Sequence, residues 1–158
     1  MTDFHIWYNP SGDFLFYQRT LTLIAHKVKR QKVLKSGYLS EESIHSTVID
    51  WVRKHPFFRI NNRFRLILHF PNEGKRTLRY GKLMKDLGMR KGVSDLFIAM
   101  PCNGFGGAWI ELKSETGRLG VEQKEFLEDM KSQNYFTAVC WSIEEAMNTI
   151  SSYCGIGS

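Results

Sequence analysis

Two short apolar runs separated by a dense cluster of turn residues constrain this chain more than any other feature. Residues 95–100, with Leu96, Phe97 and Ile98 at their centre, and residues 108–114 each read as a strand. Between them Pro101, Asn103, Gly104, Gly106 and Gly107 supply the turn chemistry that joins them. Helical spacing surrounds the pair. Ser40 is placed to cap a helix that carries Glu41 and Glu42 in its first turn, Ile44, Val48 and Val52 along one stripe, and a stop before Pro56. A strand is expected over residues 63–70, a helix from Val121 to about Lys131, and a strand at 135–141. A last helix opens on Ser142 with Glu145 as its capping partner. The pattern predicts an α/β domain with a central mixed β-sheet flanked by helices.

Upstream, residues 3–18 alternate aromatic and polar positions around the turn formers Asn9, Pro10, Ser11 and Gly12, which reads as an N-terminal β-hairpin followed by a basic segment. The expected division is an N-terminal extension over 1–40 and the main domain over 41–158. A chain of 158 residues is long enough for one core and short for two. Cys102, Cys140 and Cys154 are odd in number and scattered, so they read as thiols of a reducing cytoplasm rather than a disulfide frame. No basic leader precedes an apolar run and no stretch is apolar enough to span a bilayer, so a cytoplasmic protein with no membrane partner is expected.

Charge is the stronger clue to a partner. Seven basic residues and one acid lie between Lys75 and Lys91, an excess equal to the net +6 of the whole chain. Residues 75–87 also return to helical spacing, with Tyr80, Leu83, Met84 and Leu87 on one side and Lys75, Arg79 and Lys82 on the other. A charge run is usually a solvated surface. One gathered on a single face just before a set of acidic residues suits the phosphates of a polyanion.

Those acids and their neighbours form the chemical core of the sequence. Glu111 and Lys113 lie two apart in a strand and so share a face, and Asp95 opens the preceding strand where it faces them across the pair. Two carboxylates and a strand carbonyl make half a shell for a hard divalent ion such as Mg2+, with water filling the rest. Glu41 continues the stripe of Ile44 and Val48, and Gln123 that of Phe126, Leu127 and Met130, so both polar side chains are expected to point inward at a helix start. Taken alone, Glu111 and Lys113 would read as a solvated cross-face pair, and Asp95 as a turn cap. Their order with Gln123 makes the metal-site reading the better one. His45, one turn beyond Glu41, reads as a surface or packing residue; His5, His26, His55 and His69 lack ligand spacing. No zinc-hydrolase or serine-hydrolase motif occurs.

Pro71-Asn72-Glu73-Gly74-Lys75-Arg76, then Gly92-Val93-Ser94-Asp95, Ile110-Glu111-Leu112-Lys113 and Gly117-Arg118-Leu119-Gly120-Val121-Glu122-Gln123 together resemble the VRR-NUC branch of the PD-(D/E)XK nuclease superfamily. The likeness runs from about residue 41 to 153. It implies a restriction-endonuclease-like core and a metal-dependent DNA endonuclease that uses Mg2+ or Mn2+ and no organic cofactor. By the same likeness Asp95, Glu111 and the Leu112 carbonyl bind the metal, Lys113 is the catalytic lysine, Gln123 supports the site, and Glu41 is the upstream acid. Lys75, Arg76, Arg79 and Lys82 would contact DNA. Ser94 stands where the family usually has proline, and Glu73 where glycine is common.

A small stand-alone member of that family looks like a phage or prophage enzyme acting on branched DNA such as four-way junctions, as a homodimer that makes paired cuts. The alternatives are a monomeric flap or nicking nuclease, and a module that holds DNA without cutting it.

Overall fold

Residues 39–70, 86, 88 and 90–156 are described in the computed structural model of the chain. The N-terminal hairpin, the basic segment after it and the basic helix expected over 75–87, with Lys75, Arg76, Arg79 and Lys82, lie outside the described residues.

The first helix, α1 (Glu41–Lys54), begins where Ser40 Oγ accepts the Ser43 N–H at 3.2 Å. Its first turn is acidic and its last turn holds Arg53 and Lys54, both matched to the helix dipole. His55 ends α1 through its backbone N–H on the Trp51 carbonyl. It also starts α2 (Pro56–Arg59), its Nδ1 accepting the Phe57 N–H at 3.3 Å.

The expected strand over 63–70 is corrected here to a shorter one. Short 3-10 turns, interrupted by a kink at Asn61 and Asn62, occupy Ile60–Leu66, and β1 covers only Ile67–His69. Asn61 and Asn62 both take positive φ, 53° and 55°, a conformation asparagine tolerates better than most residues and one that cannot continue a strand. Backbone pairing reaches one residue past each end of β1, through Ala99 N–H to Leu66 O and Phe70 N–H to Asp95 O.

The strand pair at 95–100 and 108–114 is present as β2 (Leu96–Ile98) and β3 (Ala108–Leu112), antiparallel. Between them Asn103 and Gly104 both have positive φ, and Cys102 and Phe105 exchange backbone hydrogen bonds, the mark of a tight primed turn. Helix α3 (Val121–Ser132), strand β4 (Phe136–Cys140) and helix α4 (Ile143–Cys154) complete the order. Ser142 Oγ caps α4 by accepting the Glu145 N–H, while Glu145 Oε2 reaches back to the Trp141 N–H rather than to that of Ser142.

The described strands form one sheet in the order β1-β2-β3-β4, antiparallel except for the parallel pair β3 and β4. Alternation gives the sheet two faces. Leu96, Ile98, Ala108, Ile110 and Leu112 join Ile44, Val48, Trp51 and Val52 of α1 and Met147, Ile150 and Tyr153 of α4 in the apolar core. The opposite face carries Phe97 stacked on Trp109 at 4.4 Å, with Phe126 of α3 set edge-on against Trp109. Among the described residues no helix is long and apolar enough to cross a membrane.

Candidate active site

Glu111 and Lys113 fall on the same side of β3 as Trp109, and the β2–β3 register, carried one residue past Leu96 and Ile110, sets Asp95 opposite Glu111. The two carboxylates therefore stand across the strand pair as the sequence predicts. Asp95 Oδ2 accepts the Leu112 N–H at 2.9 Å, which ties the first residue before β2 to the last residue of β3.

Glu111 has no solvent exposure and Lys113 only 4%, burial that charged groups accept only when paired. Lys113 Nζ lies 2.9 Å from Glu111 Oε1 and 3.6 Å from Glu41 Oε2. Burial alone would push the Lys113 ammonium down, but the hydrogen bond to Glu111 and the charges of Glu111, Glu41 and Asp95 outweigh it and hold its pKa above the ordinary value. Glu111 is pushed up to about 7, first by burial and then by the Asp95 charge, with Lys113 opposing.

Both helix-start residues reach this point. Glu41, on the first turn of α1, accepts the Ser114 N–H through Oε1 at 3.3 Å while its other oxygen faces Lys113. Gly117 lies beneath it: a Cβ there would stand 2.6 Å from Glu41 Oε1. Gln123, on the first turn of α3, holds two partners at once. Its Oε1 accepts the Gly120 N–H at 2.9 Å and caps the helix, while its Nε2 donates to Glu111 Oε1. Gly92, with φ +80°, brings the loop before Asp95 so close to the Glu122 backbone that no side chain fits.

Lys113 and Gln123 thus both occupy Glu111 Oε1, and Glu111 Oε2 is buried with no hydrogen-bond partner among the described residues. An orphaned carboxylate oxygen beside a second carboxylate fits a divalent cation, which would satisfy it and offset the repulsion. No three His, Cys, Asp or Glu side chains among the described residues form a ready-made metal cage. An Mg2+-type ion does not need one, since one or two carboxylates plus water commonly hold it.

Two residues set aside in the sequence also lie here. His45 Nε2 stands 3.8 Å from Asp95 Oδ1, and His45 Nδ1 stands 2.7 Å from His69 Nε2. Burial, then the neighbouring charges of His69 and Lys113, push His45 down to about 4, so its imidazole is neutral near pH 7. The four-residue step from Glu41 to His45 was the available signal for one of them. Nothing in sequence spacing links His69 to the site, because only the docking of α1 beside the end of β1 brings them together.

A family model described as the VRR-NUC domain matches residues 39–143. Among solved structures the fold is similar to that of a protein described as a VRR_NUC domain protein, with a TM-score of 0.65 and 24% identity over 77% of this chain and 93% of that one. A search of curated proteins gave no match.

Proposed function

The chain belongs to the VRR-NUC domain family, and on that footing we propose that it is a divalent-metal-dependent DNA endonuclease hydrolysing phosphodiester bonds at Asp95, Glu111 and Lys113. The carrying observation is the buried Glu111, opposite Asp95 by register, whose Oε2 has no partner among the described residues while a buried lysine lies against its other oxygen.

Asp95, Glu111 and the Leu112 carbonyl would hold Mg2+ or Mn2+. Such an ion, when bound, polarises a phosphate oxygen and acidifies water. The protein's own groups do the remainder. Leu112 N–H fixes one oxygen of Asp95, and Gln123 fixes one oxygen of Glu111, so both carboxylates keep their orientation. Lys113 stays protonated among three acids and offers positive charge and N–H donors to the negative charge that grows on the phosphate as water attacks. Glu41 steadies the same ammonium from α1.

The basic residues Lys75, Arg76, Arg79 and Lys82 suit the phosphate backbone, a contact that gives affinity without reading sequence. We read the substrate as branched DNA such as a four-way junction. A homodimer would supply the two incisions such a junction needs, each from one metal centre. The test is a panel of labelled duplexes, flaps and four-way junctions incubated with Mg2+ or Mn2+. Paired cuts in the junction support the reading. Cuts confined to flaps or nicks indicate a monomeric nuclease of another specificity, and retention of DNA without any cut indicates a binding module.

A further inference from the structure

His45 Nε2 is buried and has no hydrogen-bond partner among the described residues, although Asp95 Oδ1 lies 3.8 Å away. That separation is too long for a hydrogen bond. It falls between the roughly 3.0 Å and roughly 4.2 Å that separate adjacent and opposite ligands around an ion with bonds of about 2.1 Å. The other ring nitrogen is already engaged, 2.7 Å from His69 Nε2, with the two rings edge to face at 4.3 Å. Only one proton fits between those nitrogens. If His45 Nδ1 carries it and donates to His69, the His45 Nε2 lone pair faces Asp95, and a metal-bound histidine typically has its second nitrogen held in this way.

Two buried atoms without a hydrogen-bond partner among the described residues, His45 Nε2 from α1 and Glu111 Oε2 from β3, thus belong to the two residues that flank Asp95, one 3.8 Å from it and the other opposite it across the strand pair. We propose that His45 supplies a nitrogen ligand, through Nε2, to the divalent ion held by Asp95 and Glu111, with His69 as the positioning residue that fixes the ring. The inference rests on the metal-dependent reading above and extends it to ion preference. The ion's charge draws the donors inward, since Asp95 and Glu111 otherwise repel each other. Oxygen-seeking Mg2+ gains little from an imidazole, whereas Mn2+ gains more, so a mixed oxygen and nitrogen set favours Mn2+.

The test uses the full chain, with MnCl2 and MgCl2 binding followed by calorimetry and bound Mn2+ examined by pulsed electron paramagnetic resonance. The wild type is expected to give the hyperfine coupling of a directly bound imidazole nitrogen, a readout that needs no variant to fold. His45→Ala should lose that coupling and at least about tenfold in Mn2+ affinity, with a much smaller change for Mg2+. His69→Ala should keep the coupling and weaken Mn2+ binding by about tenfold. Bound Mn2+ without nitrogen coupling, or coupling that survives His45→Ala, overturns the assignment of His45. If Asp95→Ala abolishes Mn2+ binding in the same experiment, the metal site itself stands. A wild-type chain that binds neither ion, or an Asp95→Ala chain that binds as wild type does, overturns both.

Discussion

Lys113 Nζ, just past the end of β3, sits 2.9 Å from the Oε1 of Glu111, two residues back along the chain, and both side chains are buried. The pairing leaves the carboxylate with one oxygen held by protein donors and one without a partner among the described residues. It also holds the ammonium's pKa above its ordinary value, against burial, which alone would lower it. Replacing Lys113 with Met should therefore lower the cleavage rate by about 10²–10³-fold while DNA binding changes little, because the lost charge acts on the transition state. Single-turnover cleavage beside a binding titration separates the two effects.

Gln123 joins the start of α3 to the site through opposite ends of one amide. Gln123→Ala should lower activity by about 10–100-fold, less than loss of a ligand, because it removes an orienting donor. Gln123→Glu keeps the acceptor that caps the helix but sets a carboxylate against Glu111. It should therefore be worse than Ala for activity, and the buried repulsion should offset the stability that the retained cap provides. Cleavage rates and melting temperatures of both variants check this ordering.

Glu111 also gives a pH dependence with a definite sign. Its pKa is raised from 4.5 to about 7 in the folded chain, so its contribution to stability is fully present below 4.5 and is lost as pH rises through about 7. His45, pushed down from 6.5 to about 4, works the other way: its contribution is present above 6.5 and is lost as pH falls through about 4. With chelator present, Glu111→Gln should become progressively more stable relative to wild type between about pH 5 and about pH 8, and His45→Gln should show no such gain. Paired thermal melts across that range measure both.

Gly117 lies 2.6 Å, from where its Cβ would be, to Glu41 Oε1 and 3.2 Å to the Lys113 Cβ. Gly117→Ala should displace Glu41 from Lys113 at a stability cost of about 1–3 kcal/mol and reduce cleavage. A denaturant titration and a cleavage assay on the same protein test it.

The gathering of side chains around Glu111 was legible because its members sit at short, regular offsets: Glu111 and Lys113 by strand alternation, and Glu41 and Gln123 by helix stripes that a polar residue interrupts. The turn at Asn103 and Gly104 was legible for a similar reason, since few other residues accept two consecutive positive φ values. Residues 63–66 were not. Their apolar pattern suits a strand, but a kink at the two left-handed asparagines just upstream leads into a 3-10 turn that lasts to Leu66, and an alternating pattern carries no information about that. The contact of His45 with His69 was hidden for a different reason: 24 residues separate them, and the contact exists only once a helix and a strand end have docked.

If Arg79 and Lys82 carry DNA phosphates, neutralising both should weaken binding to every DNA sequence and reduce the slope of log affinity against log salt by about 2. An unchanged slope would direct attention to the second basic block at residues 27–35.

The most direct measurement is metal-supported cleavage of a labelled four-way junction by the wild type, by Asp95→Asn and by Glu111→Gln, two changes that keep side-chain size and remove the ligand charge. The account predicts cuts by the wild type with Mg2+ or Mn2+, none with chelator, and none by either variant even though both still bind the junction. Cleavage by Asp95→Asn or Glu111→Gln at the wild-type rate, or wild-type cleavage that persists in chelator, would contradict it.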